Sequence, residues 1–262
     1  MTTTTQQAIK RHDIDASYFQ NVYNKKEQGL DKKETVFLLG RKFLLVELED
    51  ILNTLPKGSS VLDIGCGTAH LTNWIKNKGY NVVGIEPSNE MYNYATKNFS
   101  DIAIKKGLAT NIPFEDNSFD FVVSFEVFRY LSKAENQQAY KEMYRVLKPN
   151  GYFFITQVNL FSTDGYFFFY NIKNIYNKMT KKVCHYTNFT TPNFEVKLAK
   201  NVGFSSVSTI GLFSGTTRLF YKINKGIGNI YWKIYSSIFN KNVLKKSFLK
   251  NTKAHLIVIG KK

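Results

Sequence analysis

The chain is poor in cysteine and proline, with 2 and 5 of these in 262 residues. Two thiols, Cys66 and Cys184, cannot build a disulfide framework, so the fold must stand on a packed core. No Cys-x-x-Cys or His-Glu-x-x-His spacing occurs, and no metal is expected. No apolar run reaches the ~18 residues that cross a bilayer. The polar opening Met1–Gln7 lacks the apolar segment of a secretory signal. A reducing cytoplasm is the expected setting. Acid is scarcest in one place. Residues 165–262 hold 17 Lys and Arg against a single acid, Glu195, so the whole net charge of +16 belongs to the last third. Such a surface implies an anionic partner, whether lipid headgroups, phosphorylated intermediates or nucleic acid, or else a solvated basic face.

Aromatics are plentiful, with 22 Phe and 16 Tyr, and much of the excess follows Tyr152. Hydrophobic residues make up 43%, enough for one domain with a real core. Residues 1–10 read as a disordered tail. Helical spacing then runs from Asp15 to about Leu55, in two helices split near Gln28–Asp31. Short apolar runs follow at 60–64, 82–85, 102–106, 119–124 and 152–157, alternating with helices at 69–77, 87–98 and 135–147. Strands that are apolar throughout and alternate with helices predict a mostly parallel sheet covered on both faces. An aromatic helix is expected at 165–180. Thr191-Pro192 caps a helix to Asn201, and 205–212 and 254–259 close the sheet. The predicted fold is a doubly wound, Rossmann-like α/β domain with seven strands. Its parts are an N-terminal helical cap at 1–55, a cofactor-binding core at 56–160 and a substrate-side half at 161–262.

The strongest local signal is Val61-Leu62-Asp63-Ile64-Gly65-Cys66-Gly67-Thr68, between a turn and a helix. Two glycines allow a tight reversal that brings backbone N–H groups close to a ligand, at a helix end that favours negative charge. Glu86 ends the next strand, 21 residues after Gly65, where a carboxylate can accept both hydroxyls of a ribose. Together these residues indicate an adenosine-type cofactor. A dinucleotide fingerprint needs a third glycine at position 70, where this chain has His70. Asp63 also fits a cofactor bearing an ammonium better than one bearing phosphates, so nicotinamide is disfavoured.

Four blocks now stand in order. They are Val61–Thr68; Val83-Gly84-Ile85-Glu86-Pro87-Ser88; Ile112-Pro113-Phe114-Glu115-Asp116-Asn117-Ser118-Phe119-Asp120; and Val146-Leu147-Lys148-Pro149-Asn150-Gly151-Tyr152. With these the chain resembles the class I S-adenosylmethionine-dependent methyltransferases, within the quinone-biosynthesis and small-molecule group. The likeness covers roughly residues 55–160. It implies S-adenosyl-L-methionine as cofactor. Asp63, Gly65, Cys66 and Gly67 would surround its methionyl part, and Glu86 its ribose. Pro87, Ser88 and Met91 would lie beside the adenosine, and Ser124 and Phe125 near the methyl group. The chain departs from that pattern at three places. Ala69 stands for a third glycine. Leu108-Ala109 stands for an Asp-Ala pair, removing one adenine contact of roughly 0.5–1.5 kcal/mol and leaving adenine to packing and backbone. Tyr130 stands where many relatives have a histidine.

Methyl transfer to oxygen or a protonated nitrogen releases a proton, and a base would help. His185, Tyr130 and Glu126 are the candidates; a structural or incidental role is the alternative for His185, and a structural or cofactor-side role for Glu126. Tyr18 and Tyr23 on the first helix are candidate substrate contacts. The segment 216–251 is the most individual feature. Leu219, Ile223, Ile227, Ile230, Ile234 and Ile238 form an apolar stripe, with Lys222, Lys225 and Lys233 off it, which suits an anionic membrane or a greasy substrate. Packing on the domain or on a second subunit is the alternative, and Gly226 and Gly228 argue against one continuous helix. Methyl transfer to a small-molecule or lipid- or glycan-linked acceptor is the leading expectation. An RNA or protein methyltransferase and a non-catalytic scaffold are the rivals; no Asn-Pro-Pro-Tyr motif follows the fourth strand.

Overall fold

The computed structural model describes residues 4–25, 32–162, 165–181, 186–212, 215–238 and 251–262. Two helices open the chain, α1 (Thr4–Asn24) and α2 (Lys32–Leu52). Residues 4–10, expected as part of a disordered tail, are helical instead. Helix α1 begins at Thr4, where the Thr4 and Thr5 hydroxyls donate to the Glu135 carboxylate at 2.5 and 2.6 Å. That anchor lies 130 residues away in sequence, which is why local periodicity did not reveal it.

The sheet is built from β1 (Ser60–Ile64), β2 (Asn81–Ile85), β3 (Ala103–Lys105), β4 (Phe119–Ser124), β5 (Leu147–Asn159), β6 (Phe189–Thr190), β7 (Ser206–Leu212) and β8 (His255–Lys261). Its order is β3-β2-β1-β4-β5-β8-β7, with β6 pairing β5 off this path. The eighth strand beyond the expected seven is thus the two-residue β6. Strand β1 lies between β2 and β4, parallel to both. The chain leaves β1 to one side for β2 and β3, then returns to the other for β4, and ligands of open α/β sheets bind at such a reversal. Strand β8 runs antiparallel to β5 and β7.

Helices α3 (His70–Asn77), α4 (Asn89–Asn98), α5 (Lys133–Val146), α6 (Tyr166–Met179), α7 (Pro192–Val202), α8 (Gly215–Ile223) and α9 (Lys225–Ile238) complete the fold. Alternate residues of each strand feed opposite cores. On one face Leu62, Ile64, Val122, Phe153 and Val258 pack on Tyr140, Met143 and Ala199 of α5 and α7. On the other Val61, Phe121, Phe154 and Ile257 pack on Leu44, Leu48, Leu71 and Ile75 of α2 and α3. Strand β5 starts earlier than its apolar run. Leu147 already pairs with Phe119, and the register then shifts before Phe121 meets Tyr152. The Lys-Pro-Asn-Gly segment is an irregularity inside the ladder, with Asn150 at φ 66°.

The segment after β7 forms two helices, divided at Asn224, whose side-chain carbonyl accepts from the Gly226 N–H at 2.7 Å. The expected apolar stripe exists, but it faces outward. Leu219, Ile223, Ile227, Ile230 and Ile234 are exposed, whereas Tyr221, Gly228 and Tyr235 are buried. Gly228 is required here, because a Cβ would stand 2.5 Å from the Tyr221 ring. Lys222 and Ile238 have side chains outside the described set, as do all residues of 239–250.

Candidate cofactor and acceptor site

Strand β1 ends in the glycine loop. Gly65 and Cys66 N–H groups both donate to the Ile85 carbonyl, at 2.8 and 3.0 Å, tying the loop to the tip of β2. Gly65 and Gly67 have φ of 68° and 56°, in the region where glycine is free of steric cost. A Cβ on Gly65 would lie 2.3 Å from Val127 Cγ2, so the segment after β4 closes directly over that residue. Gly67 faces open space. Cys66 points the other way, into the core with Ile104, and a Cβ on Gly84 would meet its sulfur at 2.7 Å.

Glu86 is buried and fixed by backbone. The Gly67 N–H donates to Oε2 and the Ser88 N–H to Oε1, each at 2.8 Å. Burial pushes its carboxyl up to about 7, against the opposing pull of those amides. Each carboxylate oxygen accepts more than one hydrogen bond, so both keep capacity for a diol. Ser88 caps α4 by accepting from the Met91 N–H, and its hydroxyl donates to Asp13 at 2.6 Å. Asp13, on α1, also accepts from the Glu90 N–H at 3.2 Å, placing a carboxylate at the start of α4. A pocket of about 390 Å³ opens beside it, lined by Ile9, Pro87, Lys106, Gly107, Leu108, Asn111 and Pro113. Ala109 and Met91 are buried behind this edge.

Asp63 is buried and accepts from the Thr72 hydroxyl at 2.8 Å. Burial raises its carboxyl to about 6, while Thr72 and Arg41 pull it down. Arg41 comes from α2. Its guanidinium lies 5.1 Å from the Tyr23 ring centroid and 5.7 Å from that of Phe125. Tyr23 stacks on His70 at 4.2 Å, and burial with the nearby Arg41 charge pushes the His70 imidazole down to about 4. Tyr23, Arg41, His70, Leu71 and Trp74 help line a cavity of about 240 Å³. His70 therefore walls the loop where a dinucleotide would need glycine.

At the end of β4, Ser124 is buried and its hydroxyl donates to the Ile64 carbonyl at 2.9 Å, locking β4 to β1. Phe125 packs on Phe154 at 5.5 Å. Glu126 has φ 63°, a left-handed conformation that costs a non-glycine residue roughly 1–2 kcal/mol. Its oxygens are engaged: Arg129 donates to Oε2 at 2.8 Å, Thr156 donates to Oε1, and His255 Nδ1 lies 2.9 Å from Oε1. Burial alone would raise this carboxyl, but His255 and Arg129 outweigh it and hold it well below the usual carboxylate range. Tyr130 meets His12 of α1 edge-on at 5.0 Å.

The site residues expected from sequence do not all come together, and Cys66 turns into the core. Asp63, Gly65, Gly67, Glu86, Pro87, Ser88, Ser124 and Phe125 cluster around the carboxyl ends of β1, β2 and β4, and Tyr23 joins them from α1. Tyr18 lines neither cavity and packs edge-on against Phe19. His185 lies outside the described residues. Asp13, Arg41, Val127 and His255 were not singled out from sequence. Arg41 did carry a signal, a cation between Leu38 and Leu45 on the inward side of a helix. Among the described residues no His, Cys, Asp and Glu group could hold a metal ion.

A family model described as Methyltransferase domain matches residues 62–155. An uncharacterized methyltransferase of Oceanobacillus iheyensis is 37% identical over 105 residues, 39% of this chain and 49% of that protein. A demethylmenaquinone methyltransferase of Staphylococcus epidermidis is 41% identical over 108 residues, 37% of this chain and 42% of that one. The chain thus spans about half the length of these relatives. Among solved structures, phosphoethanolamine N-methyltransferase 2 of Haemonchus contortus, in complex with phosphomonomethylethanolamine and S-adenosylhomocysteine, superposes with a TM-score of 0.59. It is 18% identical, with 84% of this chain and 52% of that one covered, a likeness of fold. With the glycine loop, the Glu86 carboxylate and the strand order all in agreement, residues 62–155 carry a methyltransferase domain of the S-adenosylmethionine-dependent kind.

Proposed function

We propose that the chain transfers a methyl group from S-adenosylmethionine to a small-molecule or lipid-linked acceptor, met at an anionic membrane surface. The observation that carries the first half is Glu86, pinned by two backbone amides beside the open face of Gly67. In this reading Glu86 accepts the ribose hydroxyls, and Pro87, Leu108 and Met91 hold the adenine edge by packing. Asp63 faces the methionyl ammonium, and Arg41, which would balance the methionyl carboxylate, closes the far side. The bound cofactor supplies an electrophilic methyl carbon on an activated leaving group. The protein's part is to align an acceptor with it and exclude water, an effect that contributes ~7–11 kcal/mol in well-oriented systems. The names of two relatives, one acting on demethylmenaquinone and one on phosphoethanolamine, support a small-molecule acceptor.

The membrane half is supported by the exposed stripe on α8 and α9 and by the fate of Glu195. That single acid of the last third is buried, accepting from Tyr140 and Thr190 at 2.6 Å each, so it offsets none of the surface charge. Among the described residues no helix is long and apolar enough to cross a membrane, and an amphipathic helix pair can lie on a membrane surface instead.

Titration calorimetry with S-adenosylmethionine tests the cofactor. The native chain should bind, and Glu86→Ala should bind at least 100-fold more weakly, since two hydrogen bonds to a charge are lost at ~1.5–3 kcal/mol each. Affinities within fivefold of each other would remove Glu86 from the site.

A further inference from the structure

Helix α6 is built the opposite way to a helix that faces water. Its inward side is set by Phe167 and Tyr170, whose rings each lie 5.0 Å from that of Phe189 on β6. That side continues through the half-buried Asn174 to the buried Asn177. On the far side Phe168, Ile172, Ile175 and Met179 recur at the helical period, and they are between 48% and 79% exposed. A surface helix ordinarily turns its apolar stripe to the core and its amides to solvent. Single exposed hydrophobics are common, but a contiguous stripe marks a binding face. Lys173 and Lys178 are exposed on the two borders of this stripe. Side chains so placed lay their methylenes along an apolar phase and keep the ammonium in its polar boundary.

The fold sets the stripe at the rim that carries the cofactor site. Strand β6, on which α6 rests, pairs with Val158 and Asn159 at the end of β5, and β5 runs parallel to β4, which ends at Ser124. The carboxyl end of β7 reaches the same rim, since Leu212 and Val158 both pair with His255, and α8 follows it. The outward stripes of α6 and of α8 and α9 thus arise from one end of the sheet.

We propose that α6 is a second lipid-docking helix. Its stripe enters an anionic bilayer surface with Lys173 and Lys178 at the headgroups, and the cofactor rim is presented to the membrane. This deepens the membrane half of the proposed function and rests on it. Charge favours lipid over a second copy of the chain. A two-fold contact sets one patch against itself, which would gather Lys173 and Lys178 of both copies around a single stripe. The one acid of residues 165–262, Glu195, is buried with Tyr140 and Thr190 and cannot pair with them. Phosphate headgroups supply that negative charge, above an interior that accepts Phe168 and Met179.

The test uses the full chain with vesicles of phosphatidylglycerol, and of phosphatidylcholine as the uncharged control. The native chain should bind the anionic vesicles at least tenfold more tightly. Ile172→Gln, Ile175→Gln and Met179→Gln together keep the charge and should lower that affinity about 100-fold or more, since each removes apolar surface from the lipid phase. Thermal midpoint and affinity for S-adenosylmethionine should stay native, because all three side chains are already exposed. Lys173→Gln with Lys178→Gln should lower vesicle affinity about tenfold and flatten its salt dependence. Phe168→Trp adds a reporter, whose emission, taken as the difference from the native chain, should be quenched by lipids brominated on their acyl chains. Triple-variant binding within threefold of native, or an unquenched Phe168→Trp signal, would overturn the role of α6 and leave the α8 and α9 reading in place. An unquenched signal with dimerisation that the triple variant abolishes would assign the stripe to a second copy instead. A native chain that binds neither vesicle would overturn the membrane reading itself, and this inference with it.

Discussion

The region around β1 and β2 and the region around α8 and α9 are both rich in apolar side chains, yet they place them in opposite ways. Leu62, Ile64, Ile75 and Ile85 are sealed to 1% exposure or less, while Ile230 and Ile234 stand 64% and 56% open. Charge follows the same division. Near the glycine loop every carboxylate has a partner supplied by backbone or by a neighbouring side chain, as at Asp13, Asp63 and Glu86. Along the last third the cations have no exposed acid of their own stretch to balance them. The first region satisfies its apolar and charged groups internally, whereas the second presents apolar and cationic side chains to solvent, the kind of surface a lipid boundary would cover.

The comparison breaks most readily at α9. Ile230→Asp with Ile234→Asp should leave thermal stability nearly unchanged, because both residues are already exposed. The same pair should cut binding to phosphatidylglycerol vesicles at least 100-fold, given ~1.5–3 kcal/mol for each side chain buried in an apolar phase. Equal recovery of native and variant chains with the vesicles would end the membrane reading. A smaller effect sharpens the first region. Gly84→Ala should destabilise the fold by about 1–3 kcal/mol in urea titrations through overpacking on Cys66. Adding Cys66→Ala should return most of it, because the clash is with that sulfur. The smallest effect is on pH. Glu86 in the free protein ionises only near 7, and ribose hydroxyls donate to the ionised form. Affinity for S-adenosylmethionine should therefore be level above pH 7 and fall by up to tenfold per unit below it. Proton release on binding near neutrality would be visible as a dependence of calorimetric heat on buffer. For the fold itself the sign is reversed, since a raised carboxyl costs stability as pH climbs from its ordinary value toward 7.

The cofactor end was legible because its instructions are contiguous. Two glycines, a strand before them, a helix after them and an acid at the tip of the next strand all lie within 30 residues, and each has a local conformational reason. The surroundings of β4's end were less so. Arg41, Asp13 and His255 come in from α2, α1 and β8, and no spacing in the chain links them to Gly65. His255 offered only a lone imidazole at the head of the final strand. The stripe on α8 and α9 was visible as a period, but its outward direction was not. Side-chain spacing shows which residues share a face and not what that face meets.

The amino-acid order alone thus settled the parallel sheet, the glycine turn and the nucleoside-type pocket, since these follow from backbone sterics and short-range patterning. Which groups converge around the ends of β4 and β8 was decided only by folding. Antiparallel return of β8 beside β5 carries His255 to within hydrogen-bonding distance of a carboxylate 129 residues away, and packing of α2 across the sheet sets Arg41 over Phe125. Contacts of that range depend on how whole elements stack, and stacking is fixed by the summed burial of many side chains rather than by any one stretch of chain.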